Sequence, residues 1–348
     1  MVSLDKKFKT VYGTGIYAIA VAAALACNLI SSVVLSLVLS GEGREVVQTA
    51  LGLIFQAANL AVFLAFILIK RTKPDILWRM GVKFAENTYS RTKSAAFATI
   101  FCAAGVIFGL VCLFFFASLA TAGQYVLSGL GYKLAPQYSG APLQNVFLLI
   151  ITVAAAPVCE ELIYRSALAG GLKKRFNDFA VAALAGVAFA LMHMNPEQTI
   201  YQFFLGFGAT LLTLTSGSVI PAIIMHAVSN LAVALNMVGA AGFTHYFDWY
   251  MAVFTSDGWR LGLSAPFLAA VGLAIFVFGA KLLKKYANRY SSSGEEKAVE
   301  EKQKLKRGIE EEKVGFLASN AAMLLYTLGL AVSLFMWISI FVSRLNMA

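Results

Sequence analysis

Long apolar runs, broken by short polar stretches, recur along the whole chain. A helix needs roughly 20 apolar residues to cross about 30 Å of hydrocarbon. Runs of that order predict nine segments, at about residues 14–39, 47–69, 95–120, 146–170, 179–194, 198–215, 218–238, 262–283 and 316–342. The expected fold class is therefore all-α, a polytopic transmembrane helical bundle of about eight to nine spans. Segments five and six are short and flank Met194-Asn195-Pro196-Glu197-Gln198, a helix-breaking polar group. At 1.5 Å per residue the fifth reaches only about 24 Å, so it is expected to end inside the membrane. Irregular backbone at that depth survives where it is buried in protein or faces a wet cavity, which hints at a cavity beside His193.

Composition agrees with the pattern: 59% of residues are hydrophobic and 13% charged, the balance of a membrane protein rather than a soluble domain. The first apolar stretch is too long for a cleavable signal and is expected to stay as a helix. The four cysteines, Cys27, Cys102, Cys112 and Cys159, all lie in apolar stretches without CxxC spacing and read as buried free thiols. The net charge of +10 is not a nucleic-acid signal, because most of it flanks the spans. Lys6, Lys7 and Lys9 precede the first segment. Basic clusters follow the second (Lys70 to Lys93), the fourth (Lys173, Lys174, Arg175) and the eighth (Lys281, Lys284, Lys285, Arg289), while the loops 40–46, 121–145 and 240–261 are poor in Lys and Arg. By the positive-inside rule the N-terminus is cytoplasmic. The expected organisation is N-terminal helices and a basic loop over 1–94, a core over 95–240, an outer loop and span over 241–283, a charged cytoplasmic linker over 284–314, and an appended span over 315–348 that takes no part in any site.

Charge inside the spans changes the picture. From Phe147 to Leu172 the only charged side chains are Glu160, Glu161 and Arg165. An ionised residue near the bilayer centre costs roughly 2.5–3.5 kcal/mol, and two adjacent acids cost more unless one is protonated or both are partnered. Four pairs share a spacing of four: Glu161 with Arg165, Glu160 with Tyr164, Phe189 with His193, and His226 with Asn230. On a helix such pairs share a face. Arg165 can hold Glu161 ionised, leaving Glu160 free to titrate. The third histidine, His245, falls in an outer loop. Each pair has a bland alternative: a Glu–Arg clamp, a packing histidine, an asparagine that glues helices together. Their conjunction on three otherwise aliphatic segments points to a functional cavity.

Two chemistries fit these residue types. A desolvated carboxylate beside a second acid is a general base that can draw a proton from water attacking an amide carbonyl. His226 and Asn230 then supply donors to the oxyanion, and His193 orients water or protonates the leaving amine. Alternatively, Glu160, His193 and His226 form a two-His-one-carboxylate zinc set with an open position for water, the other glutamate acting as base. The first scheme needs no cofactor and the second needs zinc. No GxSxG or HExxH motif competes.

Glu160-Glu161-x-x-x-Arg165, Phe189-x-x-x-His193 and His226-x-x-x-Asn230, in that order on successive apolar helices, resemble the three motifs of the CAAX protease and bacteriocin-processing (Abi) family, intramembrane endopeptidases that include the type II CAAX prenyl proteases. The resemblance covers roughly residues 95–240. It implies Glu160 as catalytic base supported by Glu161 and Arg165, His193 as the residue that positions water, and His226 with Asn230 as the oxyanion site or the completion of a metal site. Members have been described both as metalloproteases and as metal-independent glutamate proteases. The implied partners are the lipid bilayer and a peptide or lipidated-peptide substrate, cleaved near the cytoplasmic face of what is expected to be a bacterial plasma membrane. Two other classes compete: a proton-coupled transporter whose acids and histidines form a relay, and a non-catalytic scaffold that binds a peptide in the same cavity. The aromatic cluster Phe114–Phe116, Phe203, Phe204 and Phe207 reads as a lipid groove or as ordinary packing. One tension is built into the topology: Glu160 and His226 fall in the cytoplasmic third of their spans and His193 at the far end of its own. The three meet only if the fifth segment starts shallow or stops inside the bilayer.

Overall fold

A computed structural model describes residues 9–37, 42–70, 91–134, 142–290 and 320–345. The helices are α1 (Thr10–Leu37), α2 (Glu42–Lys70), α3 (Arg91–Phe115) and α4 (Ala117–Gly129), then α5, a composite helix over 142–172. They continue as α6 (Asp178–Met192), α7 (Thr199–Ser216), α8 (Ile220–Met237), α9 (Ala241–Phe254), α10 (Gly258–Tyr290) and α11 (Asn320–Ser343). The described residues are mainly helical and form no strand, with an isolated antiparallel bridge between Tyr132 and Leu345. Among the described residues seven helical stretches are long and apolar enough to cross a membrane, and the protein is an integral membrane protein with an all-α bundle.

All nine apolar segments are helical over their described residues. The fifth, α6, has 15 residues and is too short to join the seven, and the sixth, α7, is not among them either. Every residue of α7 from 205 to 214 is buried, so it is surrounded by protein and serves as a core helix. Two expected loops contain helix. The span 95–120 kinks at Phe116 and continues as α4 to Gly129, and the outer loop 240–261 holds α9, which also carries the exposed His245. The signal for α9 was aromatic spacing: Tyr246, Tyr250 and Phe254 recur every fourth residue, and the Tyr250 hydroxyl donates to the Phe114 carbonyl at 2.8 Å. The basic loop 71–90 and the linker beyond Tyr290 lie outside the described residues; residues 284–290 continue α10.

Small residues bring the helices close, as they do where lipid removes the hydrophobic drive for association. Gly105 and Gly109 of α3 face α8, where a Cβ would stand 2.5 Å from the Pro221 carbonyl and 2.8 Å from that of Met225. Ser229 of α8 closes the contact by donating to the Gly109 carbonyl at 3.2 Å. Gly13 of α1 packs so tightly on α5 that a Cβ would collide with the Ala167 carbonyl. The aromatic cluster is core rather than a lipid groove at its centre: Phe116 is fully buried and stacks on Phe204 with centroids 4.1 Å apart. The largest fully buried side chain in the bundle is a cation, Arg165.

Candidate active site

The carboxylates sit on a helix that changes pitch twice. Within α5, Pro142–Leu149 is α-helical, Ile150–Ala155 π-helical, Ala156–Glu161 α-helical, Leu162–Ala169 π-helical and Gly170–Leu172 α-helical. Pro157 supplies a cause for the first change, since its ring clashes with the preceding turn and it has no N–H to give. The Ala156 N–H bonds the Ile151 carbonyl, five residues back. Continued in that register, residue 157 would serve the Thr152 carbonyl, and proline cannot. Asn230 of α8 fills the vacancy, its Nδ2 donating to Thr152 O at 2.7 Å. Such wide turns are rare and concentrate at functional sites.

The adjacent acids face opposite ways into two layers. In the inner layer Glu161 is fully buried, with one oxygen 2.9 Å from Arg165 Nε and the other 2.9 Å from His226 Nδ1. Arg165 lays its guanidinium over the Phe189 ring, 4.2 Å from the centroid, a favourable cation–π placement. Two of the buried Arg165 nitrogens, Nη1 and Nη2, have no hydrogen-bond partner. A buried ionic cluster of this kind fixes geometry more than it stabilises.

The outer layer lines a cavity of about 450 Å³. Glu160 accepts from Gln56 Nε2 of α2 at 2.8 Å through Oε1, and its Oε2 lies 3.9 Å from His193 Nε2. His193 closes the C-terminal end of α6 and its Nδ1 lies 2.8 Å from the Phe189 carbonyl. A carbonyl only accepts, so Nδ1 carries the proton and, in the neutral ring, Nε2 presents a lone pair toward Glu160. At 3.9 Å the two atoms are too far apart for a direct hydrogen bond, and Glu160 Oε2 is left without a hydrogen-bond partner. Phe189 separates the layers, its ring edge-to-face with both His193 (4.6 Å) and His226 (5.6 Å).

The structure thus brings Glu160 and His193 together at the cavity and sets Glu161, Arg165 and His226 behind them. His226 and Asn230 do not line the cavity. The Asn230 amide serves Thr152, and His226 Nδ1 serves Glu161. Among the described residues no three His, Cys, Asp or Glu side chains group as a metal site, and the His226 nitrogen nearest an acid serves Glu161 rather than Glu160. The set Glu160, His193 and His226 does not fit zinc in this arrangement. The depth tension disappears because α6 stops short. His193 stands about 22 Å along α6 from Asp178 at 1.5 Å per residue, and Asp178 pairs with Lys173 and Lys284 at the basic end. The pair therefore lies in the half of the bundle remote from that end, which corrects the expectation that Glu160 sits in the cytoplasmic third, given that the basic end is the cytoplasmic one.

Sequence reasoning missed the opposite wall. Gln56 and Asn59 on α2, and Asn28, Ser31 and Ser32 on α1, line the cavity with Glu160 and His193. Gln56 and Asn59 are the only amides in an otherwise apolar stretch from Leu51 to Ile69 and stand three apart, the same signal that singled out Asn230. Fold and site together define a polytopic membrane protein with an acid–imidazole pair facing a partly polar cavity within its bundle. Residues 142–232 match the family model described as Rce1-like, type II CAAX prenyl endopeptidase. The match runs from the start of α5 into α8, narrower than the 95–240 of the resemblance, and takes in all six motif residues. Helices α1 and α2, which supply the missed wall, lie outside it. Neither the curated proteins nor the solved structures gave a match.

Proposed function

We propose that this protein is an intramembrane endopeptidase in which Glu160 and His193 activate a water held between them. The carrying observation is the 3.9 Å approach of two acceptor atoms, Glu160 Oε2 and His193 Nε2, at a cavity inside the bundle; the match of residues 142–232 supports the same reading. Water gives a proton to Glu160 as its oxygen bonds to the scissile carbonyl carbon. The C–N bond then breaks, and the proton passes to the leaving amine. General base catalysis of this kind contributes about 10²–10⁴-fold. Gln56 orients Glu160, and the Phe189 carbonyl holds the His193 tautomer. Glu161, Arg165, His226 and Asn230 support this pair from behind, and Asn59, which lines the cavity, is a candidate to polarise the carbonyl. The substrate is a membrane-associated peptide, either prenylated or a leader peptide. The charge rule supports a cytoplasmic N-terminus in a plasma membrane. With the basic end inside, the Glu160–His193 pair lies toward the other leaflet.

The test is peptide cleavage by the reconstituted protein, with Glu160→Gln and His193→Ala alongside. Loss of cleavage in both variants, with fold retained, upholds the reading. Unchanged cleavage in both overturns it, and loss of a proton-dependent flux in the same variants assigns transport instead.

A further inference from the structure

The final helix, α11, was expected to be an appendage, yet its side chains reach the turn that follows His193. Tyr326 donates to the Leu184 carbonyl of α6 at 2.8 Å and packs on Tyr17 of α1. Further along, Trp337 Nε1 donates to Thr199 Oγ1 at 2.7 Å, and Arg344 Nη1 lies 2.8 Å from Glu197 Oε1. The end of α11 is itself anchored: Lys133 N–H donates to the Arg344 carbonyl at 2.8 Å, and Phe341 stacks on both Tyr132 and Trp337. Tyr132 completes the cluster. Burial pushes its hydroxyl pKa up, Arg344 beside it lowers it and Glu197 raises it.

The gripped turn is strained. Met194, directly after His193, has φ 50°, the one positive value for a non-glycine residue among those described. Such a backbone is unfavourable for a residue with a side chain and persists where its surroundings over-determine it. Within the turn Asn195 Oδ1 accepts from the Glu197 N–H at 3.0 Å, and Thr199 Oγ1 donates to the Asn195 carbonyl at 2.9 Å. Both α11 contacts therefore converge on Asn195, one through Glu197 and one through Thr199, two residues from the imidazole.

We propose that α11 is a positioning element: Arg344 and Trp337 hold the 194–198 turn in the strained form that aims His193 Nε2 at Glu160. Neither residue touches reacting atoms, and both lie beyond the matched segment. The inference rests on the endopeptidase reading for its kinetic readout alone. The chain has three histidines, so isotope-labelled histidine in the full-length protein reports each ring by NMR, with His193→Gln for assignment. Arg344→Ala and Trp337→Phe are expected to convert His193 from a single Nδ1–H tautomer to a mixture while His226 stays put. The swap Glu197→Arg with Arg344→Glu is expected to restore the single form. Turnover in the two single variants falls of order tenfold, as for a slight misplacement of a catalytic group, with KM within about twofold. A His193 tautomer unchanged in both single variants, with the fold intact, overturns the proposal. A wild-type protein that cleaves no peptide defeats the endopeptidase reading and leaves the tautomer result to decide this one.

Discussion

Asn230 donates to the backbone carbonyl of Thr152, one helix away, at 2.7 Å. That carbonyl is the one Pro157 would have served in the widened register of α5, so a side chain on α8 repairs a defect that proline introduces beside the carboxylates.

Asn230→Ala removes the donor to a part-buried carbonyl and is expected to cost about 1 kcal/mol, read from unfolding in detergent. Pro157→Ala restores an N–H to α5, so the double variant is expected to recover part of the loss. Strict additivity in that cycle would separate Asn230 from Pro157.

Gln56 is the one side chain donating to Glu160 Oε1 among the described residues. Gln56→Leu is expected to lower kcat about tenfold, the loss of roughly one aligned hydrogen bond to a charged group, with the melting point little changed. Steady-state cleavage kinetics check this, and an unchanged kcat removes Gln56 from the machinery.

Arg165 is the buried counter-charge to Glu161 and the plane over Phe189. Arg165→Met strands an acid in the core and is expected to destabilise by about 3–5 kcal/mol. Arg165→Lys keeps the charge but not the flat face, and is expected to fall between. Denaturation of the purified variants ranks them; equal stability of Lys and Met would leave the charge without a role.

Cysteine at Ser32, which lines the cavity, and at Lys284, at the basic end, tests the proposed sidedness in a background with Cys27→Ser. A membrane-impermeant thiol reagent added outside whole cells is expected to label the first and spare the second. The reverse pattern inverts the bundle.

Much was legible in the chain itself. Apolar run length predicts helices wherever it predicts spans, because every backbone group in hydrocarbon must bond within its own segment. The cost of burying Glu160, Glu161, Arg165, His193 and His226 marks them as a set in the sequence alone. The short fifth segment announced that His193 lies inside the bundle. The loops 121–145 and 240–261 were misjudged because a low density of Lys and Arg reports sidedness and says nothing of whether a connection is helical.

Sequence by itself determined the class of fold and the residue types of the site, since both follow from transfer cost and helical spacing, which are local properties. Tertiary structure alone decided their roles. It divided adjacent acids between two layers, turned His226 and Asn230 toward the protein, brought in Gln56 and Asn59 from a helix outside the matched segment, and set the last helix against the His193 turn. Each of those outcomes depends on which helices are neighbours and on how the wide turns of α5 rotate its faces, and neither is written in the spacing of any one segment.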